Sequence, residues 1–348
     1  MKLAAIASLA LLAAIPWQAA GAQTQTASAQ PTAQSAAAPP AAPHPPVVLT
    51  PRYAPGDVLR YQVSFRSQSK NLMGGAVENP QGAAELGITV DLTLRLEVLQ
   101  PIPSSKQQSG GAEGASAAGT RPSLRLRATY ERVSAGLTGD SYDPEAKKLL
   151  AQYQGLEGRA IEFQLGPSGE VEYMRGLNEI LKDARALEAA RSWLHQLGAG
   201  LEAPASGVVP GQSWERTQAV PDAPLNGTEL ETRATYVRDE PCDAEHPGGE
   251  MCAVVLMRFS LGQKAGEKNA TPEAFRKNGL RTSGAWASHG ESLIYVSLRT
   301  GRTVRVTESS DEVMDLNIRH EGGGIPFRYA GRSKTETHLL LLSDGRGG

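Results

Sequence analysis

The chain has 348 residues, with 35 Lys or Arg against 37 Asp or Glu, and its formal net charge is −2. The two signs are interspersed, so the sequence lacks the basic face that nucleic-acid binding requires. Aromatic residues make up only 5% of the chain, which disfavours a stacking platform for single strands.

The first 22 residues predict export. Lys2 is followed by an unbroken run of small and apolar residues from Leu3 to Ile15, and Ala20-Gly21-Ala22 fits an A-x-A cleavage site. The run is about 13 residues long, whereas a membrane-spanning helix needs about 20. We interpret residues 1–22 as a signal peptide cleaved after Ala22, with a retained N-terminal anchor as the alternative. The mature protein is then periplasmic or secreted, without a transmembrane span.

The next segment is of low complexity. Residues 23–46 contain no Lys, Arg, Asp or Glu and no large apolar residue. Such a segment cannot bury enough area to offset the entropy lost on ordering. We therefore predict a disordered Ala/Pro/Gln-rich tether over residues 23–50, followed by a β-rich domain over residues 51–343.

Alternating strands dominate that domain. The clearest runs from Glu85 to Gln100, where apolar residues occupy every second position from Leu86 to Val98. Strict period 2 over this length indicates a half-buried antiparallel strand. The same pattern predicts strands at 57–67, 123–133, 160–165, 170–174, 228–238, 252–261, 291–298, 303–308 and 327–342.

Three helices and one loop complete the predicted fold. Asp143-Pro144-Glu145 opens the first helix, which ends at Gly155, and a short one begins at Thr271 and ends before Gly279. The longest, over residues 176–197, carries one apolar stripe. Residues 101–121 are rich in Ser, Gly and Ala and predict a disordered loop. The fold class is mainly β (α+β): long antiparallel curved sheets, half-barrel or sandwich-like, packed against the 176–197 helix.

Two short segments hint at internal duplication. "YAPGDVLRYQVSF" and "VVPGQSWERTQAV" each place a Pro-Gly turn ahead of a strand. This similarity suggests that the domain has two related halves, at 51–199 and 207–343.

The two cysteines, Cys242 and Cys252, flank a polar stretch between two predicted strands. They would face each other at the mouth of a hairpin loop, and an oxidising compartment favours a disulfide there. The alternative adds His246 to make a metal site, but the spacing fits no standard zinc pattern and a fourth ligand is missing. We predict the disulfide.

Catalytic motifs are absent. The sequence has no G-x-S-x-G, P-loop, H-E-x-x-H or dinucleotide fingerprint, and we predict no catalytic, cofactor or metal residues. A hydrolase would need an unrecognised polar cluster around His289 or Ser213. Four residues could line an apolar pocket, although tryptophans more often anchor a core: Leu177, Leu181, Trp193 and Trp214.

A run of sequence from Tyr142 to Leu181, followed by "VVPGQSWERT", resembles a family of uncharacterised bacterial envelope proteins classed as a domain of unknown function. The matching positions are Gly158, Phe163, Gly169, Val171, Gly176, Pro210, Gly211 and Trp214. The resemblance implies an exported protein, although this chain lacks the Cys to which a lipid would be attached. The layout is also similar to the curved sheets of lipoprotein carriers.

We therefore expect a non-enzymatic exported protein that binds a lipid or a hydrophobic segment of an envelope partner. The alternatives are a structural or assembly module of the envelope that has no ligand, and a hydrolase with an unrecognised site.

Overall fold

The fold is known from a computed structural model. The structure describes residues 44–74, 83–100, 124–139, 144–165, 171–176, 179, 201, 203–220, 223–243, 245–246, 248–264 and 271–346.

Eleven strands and two helices are described. The strands are β1 (Asp57–Gly74), β2 (Ala84–Leu99), β3 (Leu124–Gly139), β4 (Ala160–Leu165), β5 (Val171–Arg175), β6 (Ser213–Ala219), β7 (Thr228–Pro241), β8 (Met251–Gln263), β9 (Leu280–Ser297), β10 (Thr303–His320) and β11 (Phe327–Arg346). The helices are α1 (Pro144–Gln154) and α2 (Glu273–Lys277).

All eleven strands form one antiparallel sheet in the order β5-β4-β3-β2-β1-β11-β10-β9-β8-β7-β6. Strands that follow each other in the sequence are neighbours in the sheet, with β5 and β6 as the one exception. The first strand pairs with the last over eighteen residue pairs, from Asp57–Arg346 to Gly74–Arg328. The two edge strands of the sheet are β5 and β6.

The predicted mainly β, antiparallel class is confirmed, and the strands belong to a single open sheet. The first and third predicted helices are present as α1 and α2. The 176–197 helix, the 101–121 loop and the signal peptide lie outside the described residues, apart from Gly176 and Glu179.

One face of the sheet, here called the core face, carries most of the buried side chains. Residues directly opposite each other on neighbouring strands share a face. Strands β1, β11 and β10 therefore bury the same side of the sheet. Tyr61 lies opposite Leu341, and Leu339 lies opposite both Val63 and Val306. The opposite, outer face is mostly polar and charged.

Two apolar clusters occupy the core face. One covers β1 to β4 and includes Leu59, Leu94 and Phe163, together with Tyr153 of α1. The other covers β7 to β10 and includes Tyr236 and Val255. Partly buried Leu339 of β11 packs against both clusters.

The second cluster is covered in part by the chain that precedes β1. Val47 forms a two-way backbone bridge with Val208, and Leu49 is buried in the cluster. Residues 44–50 had been assigned to the predicted tether, but the structure places them against the sheet. The physical reason is the apolar run Val47-Val48-Leu49, which follows the last prolines of the low-complexity segment.

A buried arginine links the two ends of the domain beside this segment. Arg302, in the β9–β10 turn, donates to the carboxylates of Asp57 and Asp344. Its Nε also donates to the carbonyl of Arg52 at 2.9 Å, and its guanidinium lies 5.2 Å from the centre of the Tyr53 ring. One side chain therefore holds together the start of β1, the end of β11 and the turn before β10.

Gly301, next to this arginine, is predicted to tolerate no side chain. Its φ is +68°, and a Cβ there would lie 2.1 Å from the Thr50 carbonyl oxygen. We expect Gly301→Ala to lower the free energy of unfolding by about 2 kcal/mol, since left-handed strain adds to the clash. Urea denaturation measures it.

The matched control is Gly211→Ala, where φ is +88° but a Cβ would meet nothing within 4 Å. We expect the control to cost only about 1 kcal/mol, from the backbone conformation alone. Equal losses for the two variants would contradict the clash.

Candidate functional site

The core face changes from apolar to polar part-way along its central strands. A set of hydroxyl and carboxyl side chains, here called the polar band, crosses β1, β11, β10 and β9 on that face. Its members are Ser67, Ser69, Ser288, Ser292, Glu308, Ser310, Glu312, Ser333, Thr335 and Thr337.

Glu308 is the most deeply buried carboxyl of the band. Its side chain is 2% exposed, and one carboxyl oxygen, Oε2, accepts a hydrogen bond of 2.6 Å from the Ser292 hydroxyl. Its other oxygen, Oε1, is inaccessible and has no hydrogen-bond partner within the described part of the chain. Thr337, directly opposite on β11, also has a buried hydroxyl without a partner there. Two unused polar atoms therefore lie on directly paired residues.

Burial decides the charge of this carboxyl. Removal from water raises the pKa of Glu308 to about 7, and the Ser292 hydrogen bond lowers it only in part. The carboxyl therefore titrates near neutral pH. Buried polar groups normally have partners, because an unpaired one costs about 1–3 kcal/mol.

A second carboxyl, that of Glu312, lies four residues further along the same strand and on the same face, with Ser310 between the two glutamates. Burial also raises the pKa of Glu312 above its ordinary value. Trp286 is half-buried and packs against the buried residues Leu225 and Phe259. The two glutamates thus lie between the main apolar clusters and a smaller apolar group at the far end of the strands.

The band also depends on a glycine that leaves space for an aromatic ring. Gly290 lies on the core face of β9, opposite Ser310 and Phe259. A Cβ at Gly290 would lie 2.5 Å from the Phe259 ring and 2.5 Å from the Ser309 carbonyl oxygen. The ring therefore lies across the glycine, beside the Ser292–Glu308 pair.

Most of the predicted pocket residues cannot be placed. Leu177, Leu181 and Trp193 lie outside the described residues. Trp214 lies on the edge strand β6, opposite Ala234, where it is half-buried against the second apolar cluster. It lies on the core face but not in the polar band.

Cys242 and Cys252 lie at disulfide-bonding distance, as predicted, with their Cα atoms 4.9 Å apart. Cys252 is fully buried on the outer face, where it packs with Val254 and Tyr295. His246 of the alternative metal site is exposed, with Nδ1 2.7 Å from an oxygen of Asp243. In the described ranges no three His, Cys, Asp or Glu side chains group as metal ligands do.

Removal of the disulfide by the Cys242→Ala/Cys252→Ala double variant is expected to lower the free energy of unfolding by about 2–3 kcal/mol. The loop it closes is short, because the two cysteines are only 10 positions apart in the sequence. Urea denaturation of the variant measures the loss. Addition of a reductant should destabilise the wild type equally and leave the variant unchanged; a reductant effect on the variant would contradict this explanation.

The residues named for a hydrolase lie elsewhere. His289 is exposed on the outer face of β9, opposite Asp311. Ser213 is exposed at the start of β6, and its hydroxyl lies 2.8 Å from that of Thr235. The buried polar pair is instead Ser292 with Glu308, in which the hydroxyl donates directly to the carboxyl.

Sequence reasoning missed the polar band, although a signal was present. The predicted strands end at Ser67 and Glu308 and begin at Glu291, whereas the real strands continue past all three positions. The apolar alternation stops where core-face positions become polar. Where apolar alternation stops without a turn residue, as at these positions, the sequence already indicates that the strand continues with polar residues on its buried face.

No family model and no curated protein matches the chain. Among solved structures, the chain is similar to lipovitellin, whose structure was determined to show its lipid–protein interactions. The sequence identity is 10% and the TM-score is 0.39. The match covers 85% of this chain, which spans only 26% of the lipovitellin chain. An outer membrane channel from Pseudomonas putida matches at 8% identity over 84% of this chain and 97% of its own, with a TM-score of 0.20.

None of the described helices has the length and apolar character needed to cross a membrane.

Proposed function

We propose that this is an exported, non-enzymatic protein that binds the alkyl chain of a lipid-like amphiphile on its core face. The support comes from half-buried apolar side chains next to the polar band, here called the apolar patch. Its members lie on β1 to β3: Val63, Leu86, Leu92, Val133, Ala135 and Leu137.

The patch is continuous with the band. Leu92 lies directly opposite both Val63 and Val133, so one apolar row crosses three strands. Leu86 lies opposite Ser69 of the band. Residues of the same face further along these strands, such as Leu94 and Leu126, are fully buried. Partly exposed apolar surface beside a closed core, with polar groups at one side, is typical of a binding site for an amphiphile.

The experiment is native mass spectrometry of gently purified protein, followed by calorimetric titration with decanol. We expect an associated amphiphile in the first and saturable binding in the second. Val133→Gln should weaken decanol binding about tenfold, because it places an amide on the apolar patch. Ser134→Gln, one residue along on the outer face, is the control and should leave binding unchanged.

Three outcomes would contradict the proposal. A co-purified envelope protein with no small molecule would favour recognition of a hydrophobic protein segment. Absence of any ligand and of decanol binding would favour a structural or assembly module with a filled core. Turnover of an ester substrate that is lost in Ser292→Ala would favour a hydrolase.

Export is part of the same proposal and has its own test. N-terminal sequencing of protein from the periplasmic or secreted fraction should begin at Gln23, after cleavage behind Ala22. Recovery with Met1 intact in the membrane fraction would support the retained anchor instead.

A further inference from the structure

We propose that the Glu308–Thr337 pair binds the ligand's head group, and that this head group is a protonated amine. The inference rests on the proposed function, because it names the class of amphiphile that the core face binds. It is carried by the unused polar atoms of the pair and by the charges around them.

The unused atoms match the donors of an ammonium. Glu308 Oε1 is an acceptor without a partner in the described chain, and the Thr337 hydroxyl lies on the residue directly opposite. An ammonium has three donors and no acceptor. One of its N–H groups can bind Oε1 and a second the Thr337 oxygen. Both side chains are more than nine-tenths buried, so the contacts form out of water, where charge-assisted hydrogen bonds are strongest.

The charges of the face disfavour an anionic head group. The acids on the core face beside the pair are Glu308 itself and Glu312, both on β10. Asp239 of β7 and Asp344 of β11 share this face but lie further along their strands, where Tyr236 donates to Asp239 and Arg302 donates to Asp344. Arg216, on this face of β6, is four strands away, or about 19 Å at the usual strand spacing. A carboxylate or phosphate head group would therefore face like charge without a nearby counter-ion.

The distance to the apolar patch suits a single alkyl chain. The row that contains Glu308 continues through Thr337 to Phe65 and then to Val90 on β2. Three strand spacings, about 14 Å, separate β10 from β2. Carbon–carbon bonds of about 1.5 Å advance an extended alkyl chain by about 1.3 Å each, so a chain of roughly ten to twelve carbons crosses this distance and brings its end to the patch.

The test is calorimetric titration at pH 8 with decylamine, decanol and decanoate, each below its micelle concentration. We expect decylamine to bind at least tenfold more tightly than decanoate. Glu308→Gln should remove this preference and retain decanol binding, and Thr337→Val should weaken decylamine binding several-fold. Asp311→Asn, an exposed carboxylate on the outer face of the same strand, is the control and should change nothing.

The outcomes separate the two proposals. Equal binding of the three amphiphiles would contradict an amine site at Glu308 and Thr337 and leave alkyl binding intact. A decylamine preference that persists in Glu308→Gln would do the same. Tighter binding of decanoate would contradict the amine site in the same way. Failure of all three to bind would overturn the proposed function itself.

Discussion

Replacement of Arg302 by methionine is expected to lower the free energy of unfolding by about 3–5 kcal/mol, the usual cost of removing one partner from a buried ion pair. The variant would leave Asp57 and Asp344 without their common partner, and Asp57 is 7% exposed. The Arg52 carbonyl would also lose its donor. Denaturation by urea measures the change.

The reason for so large an effect is topological. In the central β1–β11 pair, the chain's first strand meets its last, and Arg302 joins the outer ends of both to the β9–β10 turn. Loss of the arginine leaves uncompensated carboxyls at the β1–β11 pair, which joins strands β1 to β5 to strands β6 to β11. We expect the pairing of β1 with β11 to loosen first, which hydrogen exchange can detect.

The control is Arg299→Met, three residues earlier in the same turn. Arg299 is exposed, and its partner is Glu250 at 3.1 Å. Exposed ion pairs contribute about 0–1 kcal/mol. If Arg302→Met cost no more than Arg299→Met, the buried cluster would not be the junction that the geometry indicates.

Glu308→Gln is expected to change how stability depends on pH. The carboxyl releases its proton near pH 4.5 in the unfolded chain and near pH 7 in the folded protein. Between these values the folded state holds the extra proton, so the free energy of unfolding falls as pH rises, and the fall stops above about pH 7. The displacement of the pKa corresponds to about 3 kcal/mol.

The variant should lose this decline, because glutamine has no proton to release. At pH 8 we expect it to be about 2 kcal/mol more stable than the wild type, a smaller gain than the full displacement because its amide N–H groups lack partners. Near pH 4.5 the variant should be about 1 kcal/mol less stable than the wild type, because its amide N–H groups lack partners at every pH. Urea denaturation at half-unit pH intervals gives both curves.

Asp311→Asn is the control for this prediction as well, since its side chain is exposed on the outer face of β10. It should reproduce the wild-type curve between pH 4.5 and pH 8. A Glu308→Gln curve parallel to the wild type over that interval would show that the buried carboxyl is not the titrating group.

A residue that destabilises the fold at neutral pH invites a functional explanation. Apolar side chains of similar size would fill the same place on the core face without a charge to desolvate. A residue that breaks the apolar pattern of a buried face at a cost in stability is expected at functional sites. Glu308 is therefore the first residue to test for ligand recognition.

The strand interiors were predictable because their cause is local. From Leu86 to Val98 every second side chain is apolar, and an extended backbone places alternate residues on one face. The turn at Gly301 and the disulfide between Cys242 and Cys252 follow from equally local patterns. These signals determined the class of fold.

The polar band was not predictable from the same pattern. The Glu308 position breaks the alternation of β10, so that strand was predicted to end at residue 308 although it continues to His320. Ser67 had the same effect on β1. A polar residue at a core position looks like a strand end unless the residues opposite it are known, and these come from other strands.

The sequence by itself determined the antiparallel β class, the cysteine pair and most strand positions, because period, turn residues and spacing are properties of neighbouring residues. Only the tertiary structure decided that β1 pairs with β11, that β5 and β6 are the edges of the sheet, and that Ser292, Glu308 and Thr337 lie side by side. Such pairings join residues far apart along the chain, and they depend on which faces bury together, which no local pattern encodes.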